Sequence, residues 1–347
     1  MNRALPGMLL CELTEELGSR TRALETIKWL YAQRPMAGAL PAAVPGVSQK
    51  FWAPFRDRST LIVPKVKERQ VASDGTTKYA LDFGGTLVET VRIPTETRST
   101  ICVSSQAGCS RRCVFCATKD LGFHRQLLAE EMVAQYLVAR ADAPAHAPAR
   151  NVVFMGMGEP FDNLDEVLRA VTVLTQSPAP QLKATSVTVS TSGVLPGMKR
   201  FLAESKASLA LSLNATTDAQ RDQLMPQNKS WPIAALLGEL EADGLRNPRR
   251  EHFIEYVMFL GVNDSDADAD RLVELMRPLR ARVNLIPHNP FPGSPLKAPT
   301  DARLREFQQR VVGQGQLCLV RWPRGREIAA ACGQLVLSTT AEGFETN

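Results

Sequence analysis

Residues 102–116 read CVSSQAGCSRRCVFC and hold four of the chain's seven cysteines. Three of them, Cys109, Cys113 and Cys116, are spaced C-x3-C-x2-C. A closed structural zinc site wants four ligands, commonly as two C-x2-C pairs. No second pair lies nearby, which leaves His124 as a candidate fourth ligand. Three thiolates on an iron–sulfur cube instead leave one iron open to a small chelating molecule. The spacing favours an iron–sulfur cluster. The reading from another class is a zinc-stabilised, non-catalytic RNA-binding module.

Composition sets the frame for that choice. The chain has 347 residues, enough for one large α/β domain and a small accessory one. Seven cysteines, an odd number and clustered, do not resemble a secreted disulfide framework. The start, MNRALPGMLLCELTEEL, lacks the shape of a signal peptide, and no apolar run is long enough to span a membrane. The expectation is a cytoplasmic monomer without a membrane partner. The net charge of +5 is compatible with RNA binding but does not argue for it.

Working outward, residues 1–60 read as an N-terminal helical accessory domain, with Leu24, Ile27, Leu30 and Tyr31 at helical spacing. Residues 61–97 form a β-rich extension, broken at Asp74-Gly75 and Gly84-Gly85 into a hairpin or meander. From 98 to 336, strand-like runs alternate with amphipathic helices. The runs are NVVFMGMG (151–158), SVTVSTSG (186–193), ASLALSLN (207–214), EHFIEYVMFL (251–260), RVNLIPHN (282–289) and QLCLVRW (316–322). Asp162 or Asn163 is placed to cap the helix that follows the first of them. Residues 337–347 form a tail. The alternation predicts an α/β fold, a parallel sheet closed or partly closed into a TIM-like (β/α) barrel. In such barrels the chemistry sits at the C-terminal strand ends. Gly158-Glu159, Ser190, Ser212, Asn214 and Asn289 recur there.

The cysteine spacing, with Phe115 before the last thiol, resembles the signature of the radical S-adenosylmethionine (radical SAM) superfamily. CVSSQAGCSRRCVFCAT, NVVFMGMGEP, VTVSTSGVLPG, LMPQNK, VNLIPHNPFPG and AAACGQL together resemble the RlmN/Cfr family, from about residue 85 to 336. That resemblance implies a radical SAM methyltransferase acting on an adenine ring carbon of RNA. C2 of an adenosine in 23S rRNA is favoured, with tRNA as a candidate second substrate. A Cfr-like C8 activity on the same rRNA base, giving antibiotic resistance, is the alternative.

The resemblance also implies the site residues. Cys109, Cys113 and Cys116 would hold a [4Fe-4S] cluster whose fourth iron takes S-adenosylmethionine. Gly158, Glu159, Ser190, Ser212, Leu213, Asn214 and Asn289 would bind that cofactor, with the Glu159 carboxylate pairing its ammonium. The family usually has His where this chain has Asn214, and Asn cannot become a cation. Cys332 would carry the methyl group, and Cys102 would release the RNA by forming a transient disulfide with Cys332. Glu89 would accept the proton of the attacked carbon. Two S-adenosylmethionine molecules per turnover and an electron donor such as flavodoxin or ferredoxin are implied. Taken alone, Cys332 is a buried small residue, Glu89 an exposed strand glutamate, and each serine or asparagine an ordinary cap. Cys11 and Cys318 fit no motif and read as structural. Lys28, Arg34, Arg56, Arg58, Lys65, Lys67 and Arg69 form a candidate phosphate-binding face.

Overall fold

The computed structural model describes residues 4–33, 38–176 and 182–336; Arg34 and the tail 337–347 lie outside them. Twelve strands are present among those residues. They are β1 (Lys65–Val71), β2 (Thr77–Asp82), β3 (Leu87–Pro94), β4 (Ser99–Cys102), β5 (Gln106–Gly108), β6 (Phe123–Gln126), β7 (Ala149–Phe154), β8 (Val187–Thr191), β9 (Ser208–Ser212), β10 (His252–Met258), β11 (Ala281–Pro287) and β12 (Cys318–Val320). Ten of them form one sheet in the order β1-β2-β3-β4-β7-β8-β9-β10-β11-β12. From β4 to β12 every neighbouring pair is parallel. β12 and β1 end the sheet without pairing to each other, so the barrel is partial, as the alternation predicts.

The 61–97 segment does form the expected meander, β1-β2-β3 antiparallel, and it does more. β3 pairs antiparallel with β4, so the meander continues the barrel sheet. Gly84 and Gly85 have φ of 67° and 91°, the left-handed values a tight two-residue turn requires. The register puts Lys78 opposite Val91, and Val91 opposite Cys102. Directly opposed residues share a face, and so do residues two apart along a strand. Lys78, Glu89, Val91 and Cys102 therefore face the same side.

The crossover helices carry the apolar stripes that cover the sheet. They are α4 (Ala129–Ala141), α5 (Leu164–Thr175), α6 (Leu195–Glu204), α7 (Asp218–Leu224), α8 (Ile233–Arg246), α9 (Asp266–Met276) and α10 (Asp301–Gly313), following α1 (Leu10–Leu17), α2 (Arg20–Ala32) and α3 (Gln49–Arg58). Central strands are apolar on both faces because helices and interior side chains cover both. The three N-terminal helices bury Leu13, Leu17, Ile27, Leu30, Trp52 and Phe55, and these join the same apolar cluster as the barrel. Arg169 Nε donates to Gly7 O at 2.9 Å and fixes that attachment.

The expected helix cap is not made. Asn163 occupies the N-cap of α5, but its Nδ2 donates to Ser105 O and Leu127 O, at 2.9 and 2.7 Å. Asp162 accepts from Arg111 Nε at 2.9 Å instead. Both side chains tie α5 to the cysteine region, Asn163 by donating to its carbonyls and Asp162 by accepting from its arginine.

Candidate active site

The cysteine loop is closed at its base by a two-stranded ribbon of β5 and β6. Gly108 ends β5 with φ 73°, and a Cβ there would stand 1.9 Å from Gly122 O. Cys109 N donates to that same carbonyl at 2.8 Å, so backbone needs the space a side chain would fill. The C-terminal segment then clasps the loop. Ala117 N donates to Gly333 O at 2.8 Å, Thr118 Oγ1 to Leu335 O at 2.9 Å, and Asn289 Nδ2 to Cys332 O at 3.1 Å.

A cavity opens at the C-terminal strand ends. Cys109, Cys113, Cys116, Gly158, Glu159, Ser190, Ser212, Asn214, Asn289 and Cys332 all line it. The fold thus gathers most of the predicted residues. Among the predicted cofactor-binding residues Leu213 is the exception: it is fully buried in the apolar core and does not line the cavity, and neither do Cys102 and Glu89. Leu213 directly follows β9, and its N donates to Glu255 O at 3.0 Å, which carries the pleat one residue further and turns the side chain to the face opposite Ser212.

The three thiols of the cysteine loop feel one another's charge. Burial pushes Cys109 and Cys113 up to about 12 and Cys116 up as well. A bare thiolate is disfavoured there, and a cationic group that replaces the proton is favoured. Among the described residues no three His, Cys, Asp or Glu side chains converge as ligands of a single metal ion. Thiols that each hold a different corner of a cube need no such convergence, so the set fits a cluster. His124 is exposed on β6 and does not line the cavity, which removes it as a fourth zinc ligand.

Glu159 already holds protein donors on both carboxylate oxygens. Its carboxylate accepts from Phe161 N at 3.0 Å and Thr191 Oγ1 at 2.8 Å on one oxygen. The other oxygen accepts from Ser192 N and Ser192 Oγ, both at 2.7 Å. With four donors in place the carboxylate is saturated, and it fixes the β7 and β8 ends relative to each other. Gly158 carries the close approach: its φ is 98°, and a Cβ would stand 2.5 Å from Gln106 Cβ.

Asn214 is left-handed, φ 58°, a conformation Asn tolerates better than most residues. Its Oδ1 accepts from Val257 N at 2.8 Å, and its Nδ2 donates to Met225 Sδ at 3.3 Å. The replacement of the family's usual His thus serves the backbone of this chain. Asn289 spends its side chain on Cys332 O and on Arg326 Nε, at 3.1 and 3.2 Å. It positions the Cys332 segment.

Cys332 is accessible from the cavity although protein walls surround it. Accessibility governs what can reach the sulfur. Burial, Cys116 and Glu255 push its thiol up to about 11, against the lowering effect of Arg321. Cys102 is buried and pushed up to about 12, by burial first and then by Cys332. The two thiols therefore feel each other. Glu89 is not the exposed glutamate its sequence context suggests. It is 1% exposed and ion-paired with Lys78 at 3.0 Å. It shares a sheet face with Cys102 without lining the cavity.

Sequence reasoning missed Glu255, Arg321, Lys78 and Arg221. Glu255 lines the cavity; its Oε1 accepts from Asn284 Nδ2 at 2.9 Å and lies 3.3 Å from Arg321 Nη1, while Oε2 has no partner. A charge inside the apolar run EHFIEYVMFL was the available signal. The proposed phosphate face fares less well. Lys28, Arg56, Arg58, Lys67 and Arg69 each pair with a carboxylate. Such exposed pairs are weak and a phosphate can compete for them, but the charge is not free.

Residues 103–273 match the family model of the radical SAM superfamily. A dual-specificity RNA methyltransferase RlmN of Methylorubrum extorquens is 41% identical over 348 residues, covering 93% of this chain and 81% of that protein. The chain belongs to the RlmN family of radical SAM RNA methyltransferases. A probable RNA methyltransferase of Sorangium cellulosum is 49% identical over 274 residues, 78% of this chain and 68% of that protein. A crystal structure of a radical SAM methyltransferase from Sphaerobacter thermophilus aligns with TM-score 0.88 and 38% identity over 96% of this chain and 98% of that one. RlmN membership makes this protein an enzyme and implies a [4Fe-4S] cluster and S-adenosylmethionine as cofactors, which the three thiols and the adjoining cavity fit. No helix among the described residues is long and apolar enough to cross a membrane.

Proposed function

We propose that this enzyme methylates C2 of an adenine in 23S rRNA and in tRNA, with Cys332 as the methyl carrier. The observation that carries this reading is the placement of Cys332 in one cavity with Cys109, Cys113 and Cys116, and within electrostatic reach of Cys102. When bound, cluster and S-adenosylmethionine supply a methyl group and, from a second S-adenosylmethionine, a 5′-deoxyadenosyl radical. Cys109, Cys113 and Cys116 hold the cluster and leave one iron open. Gly158, Ser190 and Ser212 line the space for the cofactor, while Glu159, Asn214 and Asn289 hold that space in shape.

Cys332 accepts the methyl on sulfur, which exposes it to the purine. A purine ring carbon is too weak a nucleophile to take a methyl cation equivalent directly, so a protein-bound one-carbon unit is needed. Once one hydrogen is taken from the Cys332-bound methyl, its carbon would bond to the purine carbon, and Glu89, with Lys78 as counter-ion, would accept the proton of that carbon as one electron leaves to the cluster. Cys102 then attacks the Cys332 sulfur: a sulfur–sulfur bond forms, the carbon–sulfur bond breaks with its electron pair going to the RNA-bound carbon, that carbon takes up a proton to become a methyl group, and the RNA leaves. An external donor of the flavodoxin or ferredoxin kind supplies electrons to the cluster. A monomer working in the cytoplasm completes the proposal.

Mass mapping of rRNA and tRNA from cells with and without the gene tests this reading. Loss of 2-methyladenosine from both RNAs is expected. Loss of an 8-methyl mark instead would assign the C8 activity, and no change in either RNA would end the proposal.

A further inference from the structure

Behind the cysteine loop lies the segment 213–229, which contains α7. Val114 N donates to Leu224 O at 3.0 Å, so the loop is docked on this segment. Arg221, on α7, is fully buried. Its Nε donates to Leu213 O at 3.0 Å, and its Nη2 to Ser192 O at 2.6 Å and Ser212 O at 3.0 Å. Its Nη1 donates to Asn228 Oδ1 at 2.8 Å. All four acceptors are neutral. The carboxylates of Asp218 and Asp222 act at one remove, each accepting from Asn228 Nδ2, at 3.0 and 2.8 Å. Burial lowers the guanidinium to about 10, which leaves it cationic at neutral pH. From the same segment, Gln227 Nε2 reaches Ser192 O at 3.4 Å and Cys113 Sγ at 3.8 Å.

A buried cation is a poor way to gain stability, because desolvation offsets most of what its contacts return. Here Gln227 reaches the Cys113 sulfur directly, and the Arg221 charge lies near enough to that thiol to be felt by it. Positive charge and N–H donors beside a thiolate ligand favour the more negative, reduced form of a cluster. We propose that Arg221 and Gln227 raise the reduction potential of the cluster, while Arg221 also gathers the β8 and β9 carbonyls at the cavity rim. Arg221 is a positioning residue whose charge is felt through Cys113. This inference rests on the assignment of Cys113 as a cluster ligand.

The test uses the full chain, reconstituted anaerobically with iron and sulfide, as wild type, Arg221→Met, Arg221→Lys and Gln227→Leu. Iron per chain and the midpoint potential, followed by electron paramagnetic resonance during dithionite titration, are measured. Arg221→Met and Gln227→Leu should shift the potential to more negative values, and Arg221→Lys should restore most of the wild-type value. A purely structural arginine would not give that rescue pattern. If Arg221→Met does not fold, Gln227→Leu decides alone, since it removes only long hydrogen bonds. A wild-type potential in an iron-loaded Gln227→Leu or Arg221→Met protein overturns the inference. Failure of the wild type to bind about four irons would instead overturn the ligand assignment.

Discussion

Lys78 Nζ stands 3.0 Å from Glu89 Oε1, and the two side chains are only 4% and 2% exposed. Removing one member of a buried ion pair leaves an uncompensated charge, at a cost of about 3–5 kcal/mol. Lys78→Met should therefore lower stability by about that amount, measured by urea unfolding of the cluster-free chain. Lys78→Arg should recover much of it. A loss below about 1 kcal/mol in Lys78→Met would show that other groups around Glu89 hold its carboxylate without the lysine.

The two partner thiols separate the steps of the reaction. Cys332→Ala should carry no methyl group and form no covalent RNA complex. Cys102→Ala should still take the methyl and should accumulate protein joined to RNA, because attack on the Cys332 sulfur is lost. Denaturing gels with labelled RNA and mass spectrometry of the Cys332 peptide read both outcomes. Release of free methylated RNA at the wild-type rate by Cys102→Ala would remove that residue from the mechanism.

His288 lines the cavity and its Nε2 lies 3.0 Å from Ser294 Oγ. Burial, helped by Arg326, lowers its pKa from 6.5 to about 4. The fold thus prefers the neutral ring. Its contribution to stability is fully present above about pH 6.5 and declines as pH falls towards 4, where the unfolded chain binds a proton that the folded chain does not. Urea midpoints of the cluster-free chain should fall between pH 7 and pH 5 by more in the wild type than in His288→Asn. Equal falls in both proteins would contradict the assignment.

Gly108 tests the cysteine loop. A Cβ at this position meets Gly122 O at 1.9 Å, and the left-handed φ of 73° costs an L-residue about 1–2 kcal/mol besides. Gly108→Ala should reduce iron retained per chain and bleach the brown colour of the reconstituted protein. Full iron occupancy would show that the ribbon can shift to admit the methyl group. Gly84→Ala, strained in φ but open in space, controls for backbone strain remote from the site.

The strand runs from 151 to 322 and the meander turns were legible because burial on both faces and turn chemistry are local properties. The parallel, partly closed sheet followed from the alternation of strands with helices. Side-chain roles were less legible. Glu159 reads as a free carboxylate at a strand end, yet Thr191 and Ser192, one strand away in space, supply the donors that saturate it. Leu213 sits inside the motif word Ser212-Leu213-Asn214, but the pleat turns it into the core.

By itself the sequence determined three thiols at C-x3-C-x2-C, a (β/α) succession, and polar residues at the C-terminal strand ends. Those are matters of spacing and period, which a chain carries along its length. Only the tertiary structure decided which donors each buried group finds. It set Lys78 against Glu89, clasped the Cys332 segment onto the cysteine loop, and slid Arg221 under two strand ends. The reason is that a buried polar atom must be satisfied by whatever lies nearest in space, and for these residues that neighbour is distant along the chain or on another strand.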